Sequence, residues 1–198
     1  MVPLLVLCLL SPLLVASVDP PLKCQQGTEG SEVSDCASGL NACVVIKDES
    51  TMFGVKFTTT FYTCGKNDSC ANAFTITIGD GKHLRSSSAC CTEDGCNKNL
   101  DWGILPTTWT ENGYTCPTGC YAQTEEKCKG GQVLCTDGQM NCISATGSSG
   151  AKKFVLHGCG TSNMCGVENY EVTIAGIPYK IDKISCVDAK KPAPAAKA

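Results

Sequence analysis

Cysteine constrains this chain more than any other residue. Its 198 residues include 17 cysteines. Cys8 lies in an apolar leader, and the rest form two equal sets: Cys24, Cys36, Cys43, Cys64, Cys70, Cys90, Cys91 and Cys96, then Cys116, Cys120, Cys128, Cys135, Cys142, Cys159, Cys165 and Cys186. This density is typical of oxidising compartments, where small domains are stapled because their cores are too small to hold them. Removing Cys8 leaves an even number, so no thiol need stay free. The leader itself, residues 1–17, is an uncharged apolar run ending in Ala16 and Ser17, the pattern of a cleaved signal peptide. It is too short to span a bilayer comfortably. The C-terminal AKKPAPAAKA is polar and small, so a secreted product without a membrane anchor is expected. A net charge of −3 argues against nucleic acid as a partner.

The two cysteine sets repeat. CASGLNAC (Cys36 to Cys43) matches CTDGQMNC (Cys135 to Cys142), and TCGKNDSC (Thr63 to Cys70) matches GCGTSNMC (Gly158 to Cys165). The following cysteine comes twenty residues after Cys70 and twenty-one after Cys165. Duplication of one module explains this, with residues 18–97 as the first domain, 98–112 as a linker, 113–188 as the second domain and 189–198 as a disordered tail. A module of about 75 to 80 residues gains little from its core alone. A bridge closing a loop of about twenty residues contributes on the order of 3 kcal/mol in the chain-entropy model, so a few of them rival the net stability of a typical domain.

Between the cysteines, β-branched and aromatic residues alternate between Gly, Asn, Asp and Ser clusters, the pattern of strands and turns. Val55 to Tyr62 pairs back on Cys43 to Ile46 across a tip at Lys47 to Gly54. Phe74 to Ile78 returns through Gly79-Asp80-Gly81 to Lys82-His83-Leu84. In the second half, Cys142-Ile143 and Lys153 to Leu156 flank a loop at Gly147 to Gly150, and Tyr170 to Ile174 returns through Ala175-Gly176 to Ile177 to Ile181. The fold class is all-β.

Eight cysteines allow 105 pairings, and counting cannot choose among them. The end of the first half, CCTEDGCN (Cys90 to Asn97), resembles the terminus of three-finger domains, the fold of snake toxins and of lymphocyte-antigen-6 and urokinase-receptor modules. Two tandem disulfide-rich three-finger domains are therefore expected. The resemblance implies Cys24 with Cys43, Cys36 with Cys64, Cys70 with Cys90, and Cys91 with Cys96. The second half, with NGYTCPTGCYAQTEEKCKG, CTDGQMNC, FVLHGCGTSNMC and ISCVDA, resembles the second domain of gamma-type phospholipase A2 inhibitors. That implies Cys116 with Cys142, Cys120 with Cys128, Cys135 with Cys159, and Cys165 with Cys186. Amphibian sodefrin-precursor-like pheromone proteins share the two-module layout. The first half lacks one family bridge, the second lacks the terminal CN, and each loss keeps the cysteine count even.

No zinc or other cofactor is expected, because the close spacings Cys116-x3-Cys120 and Cys91-x4-Cys96 fall where bridges belong. The two histidines, His83 and His157, fall in strands outside any nucleophile motif, so no enzyme is expected. Asn67-Asp68-Ser69 is an N-glycosylation acceptor at Asn67. Met52 and Phe53, at the central fingertip of the first module, are candidate anchors for a protein partner. The linker holds both tryptophans, Trp102 and Trp109, which suit packing between the domains more than a ligand cage. The function implied is a secreted, non-catalytic binding protein: an inhibitor-like protein whose partner is a secreted phospholipase A2, with a pheromone or receptor ligand as the alternative and a carrier of a small apolar ligand as a third reading. The inhibitor family also implies self-association into a homo-oligomer.

Overall fold

A computed structural model describes residues 20–52, 54–67, 70, 72–100, 108–174 and 177–191. Within them the chain is built of strands, short 3-10 turns and loops. The first half contains β1 (Lys23–Gln25), β2 (Val33–Asp35), β3 (Ala42–Ser50), β4 (Phe57–Gly65), β5 (Ala73–Gly79) and β6 (Lys82–Cys91). The second contains β7 (Glu111–Cys116), β8 (Cys120–Ala122), β9 (Val133–Thr136), β10 (Asn141–Ser149), β11 (Lys152–Gly160), β12 (Glu168–Ile174) and β13 (Ile177–Asp188).

The two halves share one plan, a small two-stranded sheet (β1-β2 or β7-β9) beside two long hairpins. In the first half the long hairpins lie in the order β4-β3-β6-β5, and in the second as β11-β10-β13-β12. The fold is of the disulfide-rich three-finger type. The bridges are Cys24–Cys43, Cys36–Cys64, Cys70–Cys90 and Cys91–Cys96, then Cys116–Cys142, Cys120–Cys128, Cys135–Cys159 and Cys165–Cys186. At the base of each half the sulfurs themselves form the core: Cys24, Cys36 and Cys43 cluster in one, Cys116, Cys135 and Cys159 in the other.

Asn97 closes the first base. Its side chain is fully buried; Oδ1 accepts from the Gln25 amide at 3.0 Å, and Nδ2 donates to the carbonyls of Gln25 and Val44, both at 3.1 Å. Three of the amide's four hydrogen-bonding positions, both donors among them, are thus used to tie β1 to β3. The second half has no such asparagine, and a short backbone bridge does the work. Thr115 and Lys190 exchange hydrogen bonds at 2.8 and 3.2 Å, and the Ala189 amide donates to the Met140 carbonyl. The tail expected to be loose from residue 189 is therefore held through Lys190, because its backbone groups find partners on β7 and beside β10; residues 192–198 lie outside the described part. Likewise β7 begins at Glu111, inside the stretch read as linker.

The central fingers run further than the sequence suggests. β3 continues to Ser50, so Lys47, Asp48 and Glu49 are strand residues and not part of a tip. Pairing on both sides explains this: Asp48 faces Thr59 of β4 and Ser86 of β6. The buried Glu49 carboxylate binds Lys56 at 2.7 Å and Arg85 at 2.8 Å. Burial pushes the Glu49 carboxyl up, but the hydrogen bonds from Lys56 and Arg85 outweigh it and hold the group below the usual carboxylate value. In the second half β10 runs through Ser149, so the expected loop at Gly147 contracts to a turn at Gly150 and Ala151. Asp80 and Gly81, at φ 52° and 69°, make the two-residue turn between β5 and β6.

Candidate binding cleft between the modules

The two modules join edge to edge. β11 carries β8 along Val155–His157 and β5 at Cys159 and Gly160, so eight strands run in the order β12-β13-β10-β11-β5-β6-β3-β4, with β8 beside β11. Close approach at this seam requires glycine. A Cβ on Gly158 would lie 2.3 Å from the Thr77 carbonyl oxygen.

Polar side chains lock the seam where the ladder is short. Gln139, fully buried, accepts from the Thr136 amide at 3.1 Å and donates to Thr75 Oγ1 at 3.1 Å. The Thr77 hydroxyl shares hydrogen bonds with Thr136 and with His83 Nδ1. Asn163 Nδ2 donates to Asn72 Oδ1 at 2.7 Å and to the Ala73 carbonyl at 2.8 Å. Trp109 stacks on His83 with ring centroids 4.1 Å apart, its backbone amide held by Asp137 Oδ2 at 3.0 Å. Burial pushes the His83 imidazole below its usual value, opposed in part by the Asp137 carboxylate. Trp109 thus packs a residue preceding β7 onto β6 of the other module; Trp102 lies outside the described residues.

One face of the joined sheet is apolar, and the sheet curls around it. From the first module, Ile46 of β3, Phe61 of β4, Phe74 and Ile76 of β5 and Leu84 of β6 point inward. From the second, Phe154 and Leu156 of β11, Ala145 of β10 and Ile181 and Ile184 of β13 meet them. Alternation along a strand puts every second residue on one face, which accounts for each pair except the last. On β13 a bulge leaves Asp182 without a partner on β10, since Gly147 faces Ile181 while Thr146 faces Lys183. The extra residue shifts the parity, so Ile181 and Ile184 both turn inward. Strands at both ends of the sheet line one cavity of about 580 Å³, inside the range of roughly 300–1,000 Å³ usual for small-molecule sites.

The residues singled out by sequence are distributed around this cleft. Met52 is half-buried, packs on the shared apolar cluster and lines the cleft, so it is not a free-standing fingertip anchor; Phe53 lies outside the described residues. Asn67 is exposed, its amide donating to Asn41 Oδ1 at 2.9 Å. His157 lies on β11 beside the Cys120–Cys128 bridge, with Nε2 2.8 Å from the exposed Glu125 carboxylate. His83 and His157 serve separate contacts, and the hydroxyl that hydrogen-bonds the His83 ring, that of Thr77, is buried. The sequence offers an apolar-ligand carrier only as a third reading and does not identify the cleft's walls, because they come from opposite halves of the chain; the alternating apolar residues of β5, β11 and β13 are their local signal.

No protein-family profile matches this chain. The crystal structure of mouse TEX101 aligns with 82% of this chain and 88% of its own, at 18% identity and a TM-score of 0.35. Among the described residues no helix is long and apolar enough to cross a membrane.

Proposed function

We propose that this chain is an extracellular, non-catalytic binding protein whose site is the cleft shared by its two modules, and that it carries a small apolar ligand there. The observation that carries this reading is the 580 Å³ cavity lined from both halves. The bridges make each wall rigid before binding, which reduces the entropy lost when a ligand is taken up. The test is binding of the uncharged fluorophore N-phenyl-1-naphthylamine to the natively bridged protein, with mass spectrometry of an organic extract of protein taken from its source. Saturable micromolar binding, lost when Ala145→Phe fills the cavity, is expected. No binding, with near-ultraviolet dichroism showing the fold intact, overturns the reading.

A second reading, inhibition of a secreted phospholipase A2, is favoured by the run Asn112-Gly113-Tyr114-Thr115-Cys116 and the cysteine spacing after it. Calorimetry and turnover assays with secreted phospholipase A2 decide it; absence of association at micromolar concentration removes it.

A further inference from the structure

The cleft also indicates what charge its ligand carries. We infer that it takes an uncharged lipid of single-chain size and discriminates against the corresponding carboxylate. This rests on the cleft being the binding site, as proposed above.

Polar groups reach the apolar lining from both modules. On the wall of the first module they are the hydroxyls of Ser50, Thr63, Ser86 and Ser88. Bridging the modules is the Asn72–Asn163 amide pair, and on the second module stand the phenols of Tyr121 and Tyr179. Burial, with the neighbouring Tyr179 adding to it, raises the Tyr121 phenol to about 12, so that group stays neutral at any physiological pH. Hydroxyl, amide and phenol are all uncharged hydrogen-bonding groups.

Ionisable side chains follow the opposite pattern. Among the described lining residues there is no lysine, arginine or histidine. Glu171 touches the margin, but it stands opposite Lys180 on β13, out of step with the inward-facing Tyr179 and Ile181. Directly opposed residues of an antiparallel pair share a face, so its carboxylate belongs to the outer side with Lys180. Arg85 and Lys56 are drawn to Glu49, which lies on the face of β3 opposite Ile46 and Ser50. An anionic head would therefore lose its hydration with no cation among the described lining residues to replace it. An uncharged hydroxyl or ester finds hydroxyls and phenols in place of water.

The test holds the chain constant and changes the head. Oleyl alcohol, methyl oleate and sodium oleate are titrated, below their aggregation limits at pH 8, against N-phenyl-1-naphthylamine bound to the natively bridged full chain. The alcohol and the ester should displace it with Kd values within about threefold of each other, and oleate at least tenfold more weakly. Ala145→Phe should abolish displacement by all three. Oleate competing as well as the alcohol overturns the charge inference while leaving the cleft reading intact, and probe binding that none of the three displaces overturns the lipid class. Failure of the probe and all three lipids to bind rejects the cleft reading itself.

Discussion

Gly158→Ala tests the seam on which the cleft depends. The new methyl carbon would sit 2.3 Å from the Thr77 carbonyl oxygen and 3.0 Å from Ile78 Cγ2, and the nearer obstacle is backbone. Thr77 cannot swing aside, because its hydroxyl is shared with His83 and Thr136 and β5 is fixed to β6 along its length. Relief must come from β11 backing away by on the order of 1 Å, an overpacking strain that costs about 1–3 kcal/mol. The contact it disturbs has just two ladder pairs, Cys159 with Thr77 and Gly160 with Ile76, and weakening their hydrogen bonds adds about 1 kcal/mol. A loss of about 2–4 kcal/mol corresponds to a urea midpoint lowered by roughly 1–2 M at a slope near 2 kcal/mol per M. Gly131→Ala is the control: a Cβ there meets nothing within 4 Å, and its stability should hold to within about 0.5 kcal/mol, as with surface substitutions. Because Ile76 and Leu156 stand on opposite sides of the seam, probe affinity should change in Gly158→Ala alone. A Gly158→Ala protein with unaltered midpoint and unaltered probe affinity would refute the close-packed seam.

Asn97→Ala should cost about 2–4 kcal/mol in urea titrations, since it strands the Gln25 amide and two carbonyls in a buried site; Asn97→Asp should not restore it, having lost both donors. Stability should fall with acidification below pH 6.5. The folded His83 binds its proton less readily than the unfolded one, so protons favour the unfolded chain between the ordinary value and the lowered one, and the contribution is complete only above that window. Urea midpoints from pH 7.5 to 5.5 check this, and the His83 share of the slope should vanish in His83→Gln. Trp109→Ala removes the stack on His83 and should lower stability by about 1–3 kcal/mol by the same titration, whereas Trp109→Phe should recover part of it.

The hairpins were legible in the sequence because alternation and turn residues are local signals: Asp80-Gly81 marked its own turn, and β5 and β6 lie where the apolar alternation put them. The disulfide pairing is a different case. Spacing leaves it open, and only resemblance to a known framework suggests one pairing. Lys47, Asp48 and Glu49 read as a polar tip because charge is a poor marker of a strand flanked on both sides; Glu49 is acceptable there only through Lys56 and Arg85, the latter 36 residues away. Ala189 and Lys190 read as tail for a similar reason, since their partners are backbone groups on Thr115 and Met140 that composition does not reveal. Met52 looked like an exposed anchor because the cluster it packs against is assembled from both modules.

The same division explains why a cleft survives here at all. Each bridge stays within one half of the chain, and the sulfur clusters at the two bases stabilise each module without help from its fingers. The largest apolar cluster, which joins Ile76, Ile78 and Leu84 to Phe154, Leu156 and Ile184, is built from the fingers and spans both modules. In a protein without crosslinks such a cluster would be the main source of stability, and tight packing would close the space beside it. Here the covalent bases relieve the fingers of that demand. The finger faces are free to stay apart and apolar, and their separation is set by the glycine at the seam, the Gln139 and Thr77 hydrogen bonds and the Trp109 stack. Binding specificity should accordingly respond to substitutions along β5 and β11 more than to removal of any one bridge.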